Sequence, residues 1–309
     1  MTRVRRQDLL SAPAVIWSLA ALAMVAFAAN SVLNRLALDG GTIDAGTFTL
    51  VRLLSGAVVL TMVGLAQSRQ RQTRWRVDGS WLSAAILLTY AAAFSYSYIS
   101  LGAATGALLM FGMVQAVIVT AGLRSGERPG VTGWSGLALA LAGLLLLLAP
   151  GAKSPDPVGA VLMVCAGVAW AGYTLRGRAF GNPIAVNAGN FLRSAPMAAA
   201  LFVLLIAVDR STVHVSLDGV GLAALSGAVA SGLGYAVWYT VLPFLTRVQS
   251  GIIQLAPPPL AAIAGLLLLS EPITARVLAA TVFVFAGVLI GLRPTPNRAQ
   301  GAAPTSSAT

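Results

Sequence analysis

The sequence predicts an all-α membrane protein of ten transmembrane helices, arranged as two inverted five-helix repeats around a central cavity. Three observations carry this expectation: the composition is too apolar for water, the apolar residues fall into ten runs of membrane-crossing length, and the second half of the chain repeats the first. Of 309 residues, 57% are apolar and 9% charged, with a mean hydropathy of +0.83. Soluble domains carry ~25% charged residues, so the bilayer is the expected solvent. The net charge of +11 does not mark a nucleic-acid-binding face, because the arginines sit in short loops between apolar runs, where they set orientation in a membrane.

A helix needs about 20 apolar residues to cross ~30 Å of hydrocarbon. Such runs lie near residues 13–37, 45–66, 80–100, 103–123, 132–149, 157–177, 184–208, 218–240, 248–269 and 273–292. Arg3, Arg5 and Arg6 precede the first run in the manner of a signal peptide, yet the run continues past Ala29 without a cleavage site, so it is read as a retained span. The expected division is a cytoplasmic segment at 1–12, a first repeat at 13–150, a second at 157–292, and a disordered cytoplasmic tail at 293–309, rich in Pro, Ala, Ser and Thr. Alternating the spans from a cytoplasmic N-terminus places Arg69, Arg71, Arg74, Arg76, Arg124, Arg128, Arg176, Arg178, Arg247 and Arg293 on the same side as both termini. The opposite side receives Arg35, Lys153, Arg210 and Arg276 together with most aspartates, so the bias predicts that both termini are cytoplasmic.

Cys165 is the single cysteine and His214 the single histidine. An intramolecular disulfide and a multi-histidine metal site are thereby excluded, and no cofactor or metal is expected. The expected partners are a small-molecule substrate and membrane lipid, with no obligate protein partner evident.

The internal repeat is the most informative feature. Gly126-Glu127-Arg128-Pro129 through Gly143-Leu144 aligns at constant offset with Ser270-Glu271-Pro272 through Gly287-Val288. Phe27-Ala28-Ala29-Asn30 aligns with Trp170-Ala171-Gly172-Tyr173, and Arg52 with Arg193, the small drifts falling in loops. Five spans per repeat is an odd number, so the halves enter the membrane from opposite sides.

With these residues in view, the chain resembles the drug/metabolite transporter superfamily, in its ten-helix branch of paired EamA-type domains. The resemblance rests on Arg52 and Arg193, on Tyr98 and Trp238 late in the third span of each half, on Glu127 and Glu271, and on Ile252-Ile253-Gln254-Leu255-Ala256-Pro257 followed by Ser270-Glu271-Pro272-Ile273-Thr274. It covers about residues 14 to 292. Within the superfamily the chain looks closest to the YddG-type aromatic amino-acid exporters, which implies export of amino acids or related metabolites from a bacterial cytoplasm. One departure is Met113 in the fourth span where the ninth has Pro257, which argues against a symmetric break in both.

All nine carboxylates fall in tails, loops or helix ends. Proton-driven carriers commonly use a buried carboxylate, so the pattern favours a facilitator driven by the substrate's own gradient, with a proton-coupled exporter of drugs or other metabolites as the alternative. Glu127 and Glu271 read as helix-opening charges at the positive end of a helix dipole, with Pro129 and Pro272 in the first turn. Arg52 and Arg193 lie ~12 Å into their spans at 1.5 Å per residue. They must face protein or water, and either bind helix-end carbonyls or hold a substrate carboxylate. Asn30, Tyr90, Phe94, Tyr98, Met110, Trp170, Tyr173, Tyr235, Trp238 and Gln254 are the candidate substrate-binding residues, rings and amides suited to an aromatic or other neutral side chain and a zwitterion. Trp17, Trp75, Trp81 and Trp134 read as interfacial anchors. Pro257-Pro258-Pro259 removes three N–H groups from the ninth span, so a break there points to the site. Gly106, Gly167, Gly172, Gly232 and Gly234 read as close-packing residues. No catalytic constellation for an intramembrane enzyme and no nucleotide-binding loop are present.

Overall fold

A computed structural model describes residues 13–101, 103–148, 156–178, 182–208, 213–269 and 275–293. The expected terminal segments, Glu271 and Pro272 lie outside them. Seven uninterrupted helices come first: α1 (Pro13–Asp39), α2 (Ala45–Gln70), α3 (Trp81–Ser97), α4 (Ala103–Arg124), α5 (Val131–Leu148), α6 (Pro157–Gly177) and α7 (Pro183–Val208). The eighth span is compound: α8 (Leu217–Leu225), a π-helix over Ser226–Leu233, and α9 (Gly234–Val241). The ninth is broken into α10 (Arg247–Ile253) and α11 (Pro257–Leu269), and α12 (Ala275–Gly291) is the tenth. The spans fall where hydropathy places them, to within a few residues.

Local sequence sets the starts. The Asp44 carboxylate accepts from the Thr47 N–H at 2.8 Å and the Thr47 hydroxyl at 2.6 Å, opening α2. Ser80, Asp156 and Ser216 accept from the third N–H of α3, α6 and α8, and Thr246 and Gln249 close a capping box on α10. The Gly159 N–H and Ser100 hydroxyl hold the Asp156 carboxyl below the usual carboxylate range. Five spans are long and apolar enough to cross a bilayer unaided: Pro13–Leu38, Ala45–Gln70, Pro157–Gly177, Pro183–Val208 and Leu217–Phe244. The others are shorter apolar helices that cross as parts of the bundle.

The pairing of spans has a regularity of its own. Spans 2 and 7, 4 and 9, and 5 and 10 pack against each other; span 3 packs on 6 and 7 as span 8 packs on 1 and 2; span 4 packs on 6 as span 9 packs on 1. Exchanging each span for its counterpart five places along leaves these pairings unchanged, so the two halves of the chain share one pattern of packing. Spans 5 and 10 approach closely because Gly136, Gly143 and Gly287 carry no Cβ: one built on Gly143 would stand 2.7 Å from Phe283 Cβ, and one on Gly287 2.6 Å from the Gly136 carbonyl oxygen. At the opposite edge, Ile43 and Val215 form an isolated bridge that ties the loop after α1 to the one before α8.

Span 4 is continuous through Met113 while span 9 breaks after Ile253. The Gln254, Leu255 and Ala256 N–H groups turn back to the carbonyls of Gly251, Ile252 and Ile253, which occupies the last acceptors of α10 before Pro257, lacking an N–H, opens α11.

Candidate functional site

Rings from both halves meet at the centre. Phe27 on span 1 sets its ring edge against Trp170 on span 6 at 5.1 Å, Tyr235 at 5.7 Å and Trp238 at 5.9 Å on span 8. Tyr90 on span 3 lies 4.9 Å from Trp170, and Trp170 4.8 Å from Tyr235. Tyr173 stacks on Trp170 at 6.1 Å. These separations lie within ordinary aromatic contact, so the rings fill the centre.

Polar groups enter the cluster at defined points. Trp170 donates through Nε1 to Gln254 Oε1 at 2.6 Å, and Gln254 donates through Nε2 to the Ser250 carbonyl at 2.7 Å, which holds the break of span 9 against span 6. Gln115 on span 4 reaches the same break through the Gly251 carbonyl at 2.6 Å. Asn30 accepts from the Ser226 hydroxyl where the π-helix begins. Asn34 donates to Ser95 at 3.3 Å and keeps its buried Oδ1 unpartnered. The Trp238 indole N–H is likewise buried and without an acceptor.

Arg52 is 1% exposed. Its Nε donates to Ser231 Oγ at 2.9 Å, and its Nη2 to the hydroxyls of Tyr235 at 2.7 Å and Tyr90 at 3.4 Å. The guanidinium carbon lies 5.3 Å from the Tyr90 ring centroid. The π-helix makes this possible. Its extra residue per turn brings the Gly227 backbone against the Arg52 carbonyl, where a Cβ would collide, and turns Ser231 toward the guanidinium. Arg193, the counterpart in the second half, is only partly buried and donates from Nη1 to the carbonyls of Asp78 at 2.7 Å and Gly189 at 2.9 Å, beside Trp81.

Of the residues chosen from sequence, Tyr90, Trp170, Tyr173, Tyr235 and Trp238 thus form one cluster, with Gln254 bonded to it and Arg52 beneath it. Phe94 and Tyr98 continue from Tyr90 in a row along span 3, at 5.6 and then 4.9 Å, away from the centre. Met110 is buried where span 4 meets Gly167 of span 6. Phe191, 6.0 Å from Tyr235, and Tyr239, 5.2 Å from Tyr173, complete the cluster. The alignment of repeats gave no reason to select either, and Ser231 was hidden in a run of small residues.

One expectation changes and another sharpens. Glu127 does sit at a helix N-terminus, but of another helix: Oε1 accepts from the Arg247 N–H at 2.8 Å and Oε2 from the Val248 N–H at 3.0 Å, with an ion pair to Arg247 Nη1 at 3.4 Å. The loop before α5 reaches α10 because spans 4 and 9 are neighbours, which spacing along the chain does not reveal. For Trp75, the expected interfacial anchor, the packing is more specific: its ring lies against Gly64 of α2 and its indole nitrogen is buried.

The class of this helical bundle, two halves with a ring cluster shared between them, is supplied by its family. The EamA-like transporter family model matches residues 15–149 and again 157–293. The chain belongs to the EamA-like transporter family and is a multi-pass membrane protein that moves small molecules. It is 51% identical over 283 residues, 91% of this chain and 96% of the relative, to the Pseudomonas aeruginosa protein PA1977, described as uncharacterized. A shorter match, 31% identical over 99 residues and 32% of the relative's length, is to the uncharacterized inner membrane transporter YedA of Escherichia coli K12. One solved crystal structure, 18% identical, superposes with a TM-score of 0.69 over 88% of this chain and 98% of its own, which shows the fold.

Proposed function

We propose that the protein exports small metabolites across the bacterial inner membrane by alternating access between inverted halves, and that its cargo is an amino acid with an aromatic or other neutral side chain. The observation that carries the reading is the ring cluster itself. Phe27 and Tyr90 come from one half and Trp170, Tyr173, Tyr235 and Trp238 from the other, so relative motion of the halves opens or closes the place where an apolar side chain would lie. The break of span 9 brings the Gln254 amide to the same depth, bonded to Trp170. The exchange symmetry of the span pairings supports inverted halves, since each half holds an odd number of spans.

Asp44, Asp156 and Asp218 stand at helix starts and Glu127 at the N-terminus of α10. None of these carboxylates belongs to the ring cluster, so the reading is of a facilitator. Counterflow in proteoliposomes with labelled phenylalanine, threonine, a sugar phosphate and a quaternary amine tests the cargo. Phenylalanine exchange is expected to exceed the other three; no exchange with either amino acid would remove the amino-acid reading. Uphill accumulation under a pH gradient alone would favour the proton-coupled alternative. Reporter fusions after residue 10 and after residue 294 are expected to report the same, cytoplasmic face; opposite faces would mean an odd number of crossings and end the inverted-repeat account.

A further inference from the structure

We propose that Arg52 is an anion-binding group: its free Nη1, with the Tyr235 hydroxyl turned beside it, takes a small monovalent anion, which is the carboxylate of an organic solute or a free halide. The inference deepens the carrier reading by naming the charge its cargo carries, and it rests on the geometry of one side chain.

A guanidinium offers five N–H donors and cannot discharge itself. In Arg52 three hydrogen bonds go to neutral hydroxyls, Ser231, Tyr235 and Tyr90, while Nη1 is buried and has no partner. Among the described residues Arg52 forms no ion pair. A fully buried cation with only neutral partners is costly in any protein and more so within a bilayer, and a bare Nη1 adds the cost of an unsatisfied charged donor. Arg193 avoids both penalties, because it is only partly buried and spends Nη1 on two carbonyl oxygens. Equivalent positions therefore have different tasks. What Arg52 lacks is one anionic oxygen or halide at Nη1.

The surroundings select the rest of the ligand. Tyr235 accepts from Arg52 at 2.7 Å, while its own proton reaches Tyr90 only at 3.5 Å, too long for a firm O–H···O bond. Seated among Arg52, Ser231 and Tyr90, the Tyr235 hydroxyl would turn its proton from its neutral partners to an anion at Nη1. Tyr90 and Tyr235 are also members of the ring cluster, each within 5 Å of Trp170. A carboxylate held at Nη1 thus carries its apolar substituent directly among the rings. The anion subsite and the apolar subsite share two side chains.

The test uses the purified full-length chain in detergent and its thermal unfolding. Three probes are titrated: 3-phenylpropionate, a carboxylate without an amine; 2-phenylethylamine, the amine without a carboxylate; and sodium chloride exchanged for sodium sulfate at constant ionic strength. Stabilisation by 3-phenylpropionate and none by the amine is expected, with apparent affinity weakened about tenfold or more in Arg52→Gln, less in Arg52→Lys, and modestly in Tyr235→Phe, which leaves the cation in place. The comparison of carboxylate and amine on wild-type protein stands even if Arg52→Gln fails to fold. Arg52-dependent stabilisation by chloride alone assigns the site to a free anion. Equal response to carboxylate and amine, no response to any probe, or a response that survives in Arg52→Gln overturns the proposal. Failure of phenylalanine counterflow beside a positive carboxylate response would reject the amino-acid cargo and keep the anion site; the reverse pattern would reject only the site.

Discussion

Gly287→Leu is expected to leave little folded protein to purify, because it drives a side chain into the backbone of the neighbouring span. A Cβ at Gly287 would stand 2.6 Å from the Gly136 carbonyl oxygen and 2.8 Å from Ala140 Cα, and closer still to the Ala140 nitrogen. None of these is the tip of a flexible side chain, so relief requires the two helices to separate. In a bilayer that separation is serious: lipid tails are as apolar as leucine, and helices associate through close van der Waals contact rather than by escape from water. Overpacking at sites that can yield costs about 1–3 kcal/mol, and here the backbone itself must move. The measurement is the yield and thermal midpoint of the monodisperse peak in detergent. Gly112→Leu is the control, since a Cβ there meets nothing within 4 Å, and it should behave as wild type. A Gly287→Leu protein with wild-type midpoint would mean that spans 5 and 10 pack less closely than described.

The ten spans were legible in the sequence because bilayer thickness imposes a length on each apolar run. The approximate starts were legible too, whereas the caps that fix them, Asp44, Ser80, Asp156, Ser216 and Thr246, emerge only in the structure. The break of span 9 announced itself through three consecutive prolines. The π-helix did not. Ser226–Leu233 reads as an ordinary stretch of small residues, and nothing in a local pattern separates an i→i+5 ladder from an i→i+4 ladder when the deciding contacts, Ser226 with Asn30 and Ser231 with Arg52, lie 196 and 179 residues away in the chain. The same limit explains the two arginines. Arg52 and Arg193 align in the repeat, yet one meets tyrosine hydroxyls at the centre and the other meets the backbone of Asp78, and their surroundings diverge because the halves share span pairings but not the side chains around each arginine. Ring content was readable, whereas the partner of each ring was set by which spans pair across the halves.

Glu127→Ala is expected to loosen the face of the protein on which α10 begins, with a large effect on access to the centre. Glu127 comes from the first half and binds two N–H groups of α10 in the second, while Arg178 at the end of span 6 donates to the Leu245 and Thr246 carbonyls of the same turn. The contact thus joins halves that must move apart if this face is to open. Removing the carboxylate leaves the first donors of α10 without acceptors, at about 1–3 kcal/mol. Since 1.4 kcal/mol is a factor of ten in a two-state equilibrium, the open form should become about tenfold more populated. Ser250 is the reporter, buried in α10 one turn from Gln254 and the Trp170 ring. In a Cys165→Ser background, Ser250→Cys should react slowly with a small thiol reagent. Adding Glu127→Ala should raise the rate about tenfold, and Glu127→Gln less, because one amide oxygen replaces two carboxylate oxygens. A rate unchanged in both variants would show that this contact does not hold the two halves together on that face.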